Sequence, residues 1–346
     1  MEYVLGPGLY QWRGGHLVRL KEKYRNCVVL IGTGGPRSGD KIEPWGTAFI
    51  VECGAPRGTY IVTAAHVVAQ NIGAPFEIRF NERGGGARNV SIETPHWIFH
   101  PTDNTVDVAV HEIELPQWAD VAVIPKTPNL MLGDRMDLKD IGAGNRTYTV
   151  GLWKFLHGTR RNQTFVYTGH VGLIPDGEKI PVMPWLPDHE GRRVFVDAYL
   201  VEGEPINGAS GSPVFVRRTI PIKVKPDDAE KPVNAAIEGS VWLLGLQSDA
   251  FVGVPGEDYE IPLAGGNVVV PRGVNVVVPL EKILEVIDQP KLLAVREGAL
   301  AMEEDAKLPV KTARVPPTTA DNPRHREDFS RALNAAVSRR KPDRGT

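Results

Sequence analysis

The sequence predicts an all-β chain folded as two antiparallel barrels or sandwiches, followed by a short C-terminal helix. Three observations support this. Eleven short runs rich in Val, Ile, Phe and Tyr fill the region before residue 290, and such residues suit a pleated, half-buried surface. Clusters of Gly, Pro and Asn separate them, and 36 Gly and 29 Pro in 346 residues supply many turns. Apolar residues at helical spacing first occur near residue 280.

The first series of strands is CVVLIG (27–32), GTAFIVE (46–52), YIVTAAHVV (60–68), FEIRF (76–80) and DVAVHEI (107–113). GTGGPRSGD and NERGGGARN are loops between them. A turn-rich stretch near 118–135 divides this series from a second. That one comprises RTYTVGLW (146–153), TFVYTGHVGLI (164–174), RRVFVDAYLV (192–201), SPVFV (212–216), VWLLGLQS (241–248) and VNVVVPL (274–280). Insertions near 217–240 and 254–272 are placed to cover a cleft or to meet a partner. In PLEKILEVIDQPKLL, Leu280, Ile283, Leu284 and Ile287 share one helical face, and Pro290 interrupts it. The expected organisation is an N-terminal extension (1–24), a first β-domain (25–120), a second ending in a helix (121–290), and a linker with a basic tail (291–346). Residues 304–325 read as linker. Within the tail, Phe329, Leu333, Ala336 and Val337 form a narrow apolar stripe, either a solvated helix or a docking helix for a protein partner.

An apolar content of 42%, a charged content of 24% and a net charge of −2 are those of a soluble globular chain with no basic field for nucleic acid. No apolar run reaches the roughly 18–20 residues of a membrane helix. The N-terminal MEYVLGPGLYQWRGG lacks the features of a secretory signal, so the expected compartment is the cytoplasm. Cys27 and Cys53, each in an apolar run, are expected as free thiols.

Three segments carry chemistry. A serine hydroxyl is a poor nucleophile at neutral pH unless a base removes its proton and a carboxylate orients that base. His66 stands where an apolar strand turns, Asp107 opens DVAVHEI, and Ser210 lies between small residues in GASGSP. Singly each has a plain structural reading; in this order they form a candidate triad.

TAAH (63–66), DVAV (107–110) and GASGSP (208–213) resemble the signature segments of the chymotrypsin-like (trypsin-like) serine peptidases. WGTAFIVE (45–52) is similar to the glycine-led strand ahead of the histidine in bacterial members. The likeness spans roughly residues 25–290. It implies two antiparallel six-stranded β-barrels with the active site in the cleft between them. It also implies a serine endopeptidase acting on polypeptides through an acyl-enzyme, without metal or other cofactor. By position, Ser210 would be the nucleophile, His66 the general base and then acid, and Asp107 the orienting carboxylate. The N–H groups of Gly208 and Ser210 would form the oxyanion hole, and Ser248 in GLQS would support Asp107. Glu204, six residues before Ser210, would floor the substrate pocket and favour Lys or Arg, with Ala250 on an open wall.

Departures from the family pattern are informative. Ala209 replaces the aspartate that pairs with a newly cut N-terminus in animal digestive members, and Val67 follows His66 where the extracellular branch carries a cysteine. The resemblance therefore implies a bacterial-type intracellular relative whose oxyanion loop is preformed or ordered by other means. A silent or partner-activated binding module on the same fold is the alternative. The nucleophile elbow of α/β-hydrolases needs glycine where Ser212 stands and a helix where SPVFV reads as strand. Asp107 is preferred over Asp103 because it directly precedes the VAV strand, and Ser210 over Ser212 because of Gly208. His96, His100, His111 and Glu112 lie on strand and loop, where their spacing does not converge on a metal. His170 has no partner in the sequence pattern and reads as structural or exposed.

Overall fold

Runs that are apolar at successive positions, rather than alternating, become strands buried on both faces. β1 (Val28–Gly34), which follows a single helical turn α1 (Glu22–Arg25), buries Val28 through Ile31 without a break. β2 (Ile42–Glu52) buries Thr47 through Val51 in the same way. The computed structural model describes residues 20–34, 42–54, 56–126, 141–182, 193–204, 206–224, 233–250, 260–263, 266–269, 273–307 and 331. Most of the expected N-terminal extension, the linker beyond 307 and nearly all of the tail helix lie outside them.

β3 (Thr59–Thr63) ends before His66, which lies in a short helix, α2 (Ala65–Ala69), rather than at the end of the strand run predicted over 60–68. β4 (Phe76–Asn81), β5 (Ala87–Ile92), β6 (Ile98–Phe99), β7 (Ala109–Glu112) and β8 (Ile124–Pro125) complete an eight-stranded sheet. Its order is β5-β4-β1-β2-β3-β7-β6, antiparallel throughout, with β8 added parallel to β2. Phe49, Ile50, Tyr60, Ile61, Phe76, Ile78 and Phe80 are fully buried in it.

The second half closes on itself. β9 (Arg146–Leu152), β10 (Thr164–Leu173), β13 (Tyr199–Glu202), β14 (Pro213–Val224), β15 (Val233–Ala250) and β18 (Val274–Pro279) form a six-stranded barrel in the order β10-β13-β18-β15-β14-β9. Two ribbons lie off it: β11 (Ile180–Val182) with β12 (Val194–Val196), and β16 (Glu260–Leu263) with β17 (Gly266–Val269). The insertion near 217–240 is thus an extension of the β14–β15 hairpin. Most of the one near 254–272 lies outside the described residues. The expected all-β architecture is present, as one closed barrel and one large sheet. α3 (Leu280–Ile287) buries Leu280, Ile283, Val286 and Ile287, and Pro290 opens a second helix, α4 (Pro290–Lys307), at a position that tolerates its missing N–H.

Two compact units divide the chain, Met1–Ala301 and Met302–Thr346. In the first, buried polar contacts lock sheet to barrel. Arg79 of β4 donates to Gly158 O and Thr159 O, both at 2.7 Å, and Asn162 Nδ2 donates to Arg79 O. Arg296 of α4 donates to Tyr60 Oη of β3 at 2.9 Å and to Asp288. His100 Nε2, on the loop ahead of β7, lies 2.6 Å from Glu285 of α3. Pairing buried guanidinium groups in this way fixes geometry more than it adds stability. Both cysteines are free. Among the described residues no helix is long and apolar enough to cross a membrane.

Candidate active site

Asp107 is held where β7 is about to begin, and it is almost wholly buried, at 4% exposure. An ionised carboxylate so placed must be met by donors. Three are present. The His66 backbone N–H donates to Oδ1 at 2.9 Å, His66 Nδ1 meets Oδ2 at 2.8 Å, and Ser248 Oγ donates to Oδ2 at 2.5 Å. Burial pushes the Asp107 pKa up, but the facing His66 and these hydrogen bonds outweigh it and hold the group below the usual carboxylate range. His66 shows the mirror balance. Burial pulls its pKa down, and the charge and hydrogen bond of Asp107 leave it above the ordinary imidazole value. Because the carboxylate only accepts, Nδ1 carries the proton, and Nε2 is left with its lone pair free to act as a base.

Ser210 sits in the turn between β13 and β14, a partly exposed residue in a largely fixed loop. Thr47 of β2 does much of the fixing. Its N–H donates to Ser210 O at 3.1 Å, its hydroxyl donates to Gly208 O at 2.7 Å, and that hydroxyl accepts from Leu152 N–H at 3.0 Å. On the other flank Gly211 N–H donates to Gln247 O, and Gln247 N–H returns a bond to Ser212 O, at 2.8 and 2.9 Å. Gln247 immediately precedes Ser248, so one strand supports both the serine loop and the carboxylate. Gly211, at φ +85°, packs so tightly that a Cβ would lie 2.1 Å from Thr47 O and 3.2 Å from Ala64 N, two residues from His66. Only glycine brings the serine loop this close to the histidine helix.

Gly208, at φ +94°, is equally confined: a Cβ would meet Lys154 N at 2.8 Å. Among the described residues the N–H groups of Gly208 and Ser210 have no acceptor. Ser210 Oγ and His66 Nε2 likewise have no hydrogen-bond partner among them. The fold therefore brings His66, Asp107 and Ser248 into one bonded chain, and the serine loop approaches the start of the histidine helix at Gly211 and Ala64 with no hydrogen bond between Ser210 and His66.

The other residues singled out from the sequence go elsewhere. Ser212 is fully buried, its hydroxyl facing Gly151, and is inaccessible to a substrate. Asp103 turns away to bond the N–H and hydroxyl of Thr105. Glu204 is exposed and touches none of the triad among the described residues; Ala250 follows Asp249 on β15, half-buried. His96 bonds Thr94 O, His100 faces Glu285 and His111 is buried against Trp97, so they do not converge. Among the described residues no three His, Cys, Asp or Glu are grouped to hold a metal. His170 pairs with Glu202 at 2.8 Å.

Two participants escaped sequence reasoning. Thr47 was visible only as one polar residue in the WGTAFIVE run. Asp249 follows Ser248 and lies close enough that its charge acts on His66. An acidic residue beside the supporting serine was the available signal.

Solved structures similar to this chain include the Rv3671c protease from M. tuberculosis in its active form, at 14% identity and a TM-score of 0.37, over 81% of this chain and 82% of that one. Deg5 matches at 16% and 0.34 over 56% and 75%, and human heparin binding protein at 12% and 0.39 over 77% and 91%. No family model and no curated protein matches. The fold and site described above stand on the chain's own strand pairings and hydrogen bonds.

Proposed function

We propose that the protein is a serine endopeptidase that cleaves polypeptides through an acyl-enzyme formed on Ser210. The observation that carries this reading is the hydrogen-bonded chain Ser248–Asp107–His66, in which His66 Nδ1 meets the carboxylate and Nε2 is bonded by none of the described residues. In the first step Ser210 Oγ bonds to the substrate carbonyl carbon while His66 Nε2 takes the hydroxyl proton. The oxyanion that forms accepts from Gly208 N–H and Ser210 N–H. His66 then gives its proton to the leaving amine as the C–N bond breaks. Water, deprotonated by the same nitrogen, then bonds to the acyl carbon, the bond from that carbon to Ser210 Oγ breaks, and His66 returns the proton to Oγ. Asp107 stays ionised throughout and steadies the imidazolium.

The unbonded Ser210 hydroxyl favours a second reading, in which the triad engages only when a partner or substrate tightens the site; such bonds often shorten only in the complex. Incubating the purified protein with a peptide library, with Ser210→Ala as control, separates these. Cleavage by the wild type alone supports the first reading. Cleavage that requires an added partner supports the second, and identical profiles for both proteins refute a peptidase.

A further inference from the structure

Between β6 and β7 the chain runs from His100 to Val108 and delivers Asp107 to the site. Pro101, Thr102 and Asn104 of this loop are exposed, whereas the His100 side chain is only 5% exposed. Each of its ring nitrogens is bonded. Nδ1 accepts the Asp103 N–H at 3.0 Å, so Nε2 carries the proton and donates it to Glu285 Oε2 at 2.6 Å. From Asp103 the bonding continues toward the site: its Oδ1 accepts from the N–H and hydroxyl of Thr105, and its carbonyl accepts from Val106 N–H. Asp107 is the next residue.

The far end of this chain is fixed as well. Lys282 donates to both carboxylate oxygens of Glu285 at 3.1 and 3.2 Å, and Gln289 Nε2 donates to Phe99 O at 2.7 Å. α3 starts directly after β18, and β18 pairs with β15 beside Ser248, where Gln247 stands opposite Val277. Gln247 in turn bonds Gly211 and Ser212 of the serine loop. Asp107 comes from the sheet, whereas Ser248 and Ser210 come from the barrel. The His100–Glu285 bond thus ties the carboxylate loop to the body that carries both serines.

We propose that His100 and Glu285 are positioning residues for the Ser210 chemistry, holding Asp107 where it meets His66 and Ser248 together. This inference rests on the peptidase reading above.

The test compares Glu285→Ala, which removes an exposed carboxylate, with Glu285→Gln, which keeps an accepting oxygen. Turnover of a cleaved peptide is read beside the NMR resonance of the His66 Nδ1 proton, which reports the bond to Asp107 whether or not substrate turns over. Glu285→Ala should lower kcat by about tenfold to 10²-fold, leave KM within about twofold, and displace or broaden the resonance. Glu285→Gln should restore both readouts. His100→Asn, which keeps an acceptor for Asp103 N–H but is too short to reach Glu285, should match Glu285→Ala. Asp120→Ala removes the Asp120–Arg161 contact, away from this loop, and should change neither readout. Wild-type kcat and an unmoved resonance in Glu285→Ala overturn the proposal. So does a loss of thermal stability alone, a change confined to KM, or an equal kcat loss in Asp120→Ala. A wild type that cleaves nothing and resists acylation at Ser210 refutes the peptidase reading by itself. The resonance then still decides the positioning of Asp107, and an unmoved one in Glu285→Ala overturns that too.

Discussion

Thr47→Val tests whether the sheet holds the serine loop in place. Valine keeps the shape of threonine but deletes a fully buried hydroxyl that bridges Gly208 O and Leu152 N–H. Leu152 is fully buried, so its amide loses its partner with no water to replace it, at a cost of about 1–3 kcal/mol. Gly208 is only partly buried, and its carbonyl adds about 1 kcal/mol. The sum, about 2–4 kcal/mol, is a large share of a typical folding stability of about 5–15 kcal/mol. Urea unfolding should show that loss with an unchanged slope, and Thr47→Ser should recover most of it. Because the Gly208 carbonyl lies on the loop whose Gly208 and Ser210 N–H groups are the proposed oxyanion donors, acylation should slow as well, up to the roughly 10²–10³ cost of losing one such donor. A valine variant within about 0.5 kcal/mol of wild type, acylating at the normal rate, would refute the bridge.

Removing Ser248 Oγ in Ser248→Ala takes one of three donors from Asp107, and kcat/KM should fall about tenfold or more; unaltered kinetics would count against its supporting role. Asp107→Asn should lower kcat by about 10³–10⁴. It should also move the acid limb of the residual pH–rate profile downward, because burial then acts on His66 without the opposing carboxylate. Titration links the site to stability in two directions. The raised His66 stabilises the fold fully below its ordinary value of 6.5, and that contribution fades as pH rises through its folded pKa. Asp107, held low, contributes above its ordinary 3.8, and this is lost as pH falls through its folded pKa. His111 is buried with its pKa pushed down by burial, and its Nε2 has no partner among the described residues. Its contribution is present above 6.5 and is lost as pH falls toward its folded pKa. Thermal unfolding of His111→Phe should lose less stability than wild type between about pH 7.5 and pH 5; parallel curves would show that His111 is not an acid-sensitive group.

Local patterning made much of this molecule legible. The apolar runs, their glycine punctuation and the α3 stripe translate directly into strands and a helix because burial dictates which residues recur and where. The candidate triad is legible in the sequence as order and residue type. What the sequence hid is geometry that depends on contacts between distant segments. The histidine run looked continuous from 60 to 68, yet the chain leaves the sheet after Thr63 and coils into α2, where His66 N–H can also reach Asp107. Thr47 looked like one more strand residue until the serine loop was seen to lie on it. The register shift at Ser248, where Gln247 stands opposite Val277 and Asp249 opposite Val276, involves strands distant in sequence and leaves no mark in composition.

The most direct measurement of the central idea is intact-mass analysis after exposure to a fluorophosphonate, with the modified residue mapped by fragmentation. Activation of Ser210 by His66 and Asp107 predicts a single adduct on Ser210 in the wild type, absent from Ser210→Ala and much slower to form in His66→Ala. An adduct on another serine, or one forming equally fast without the imidazole, would contradict it.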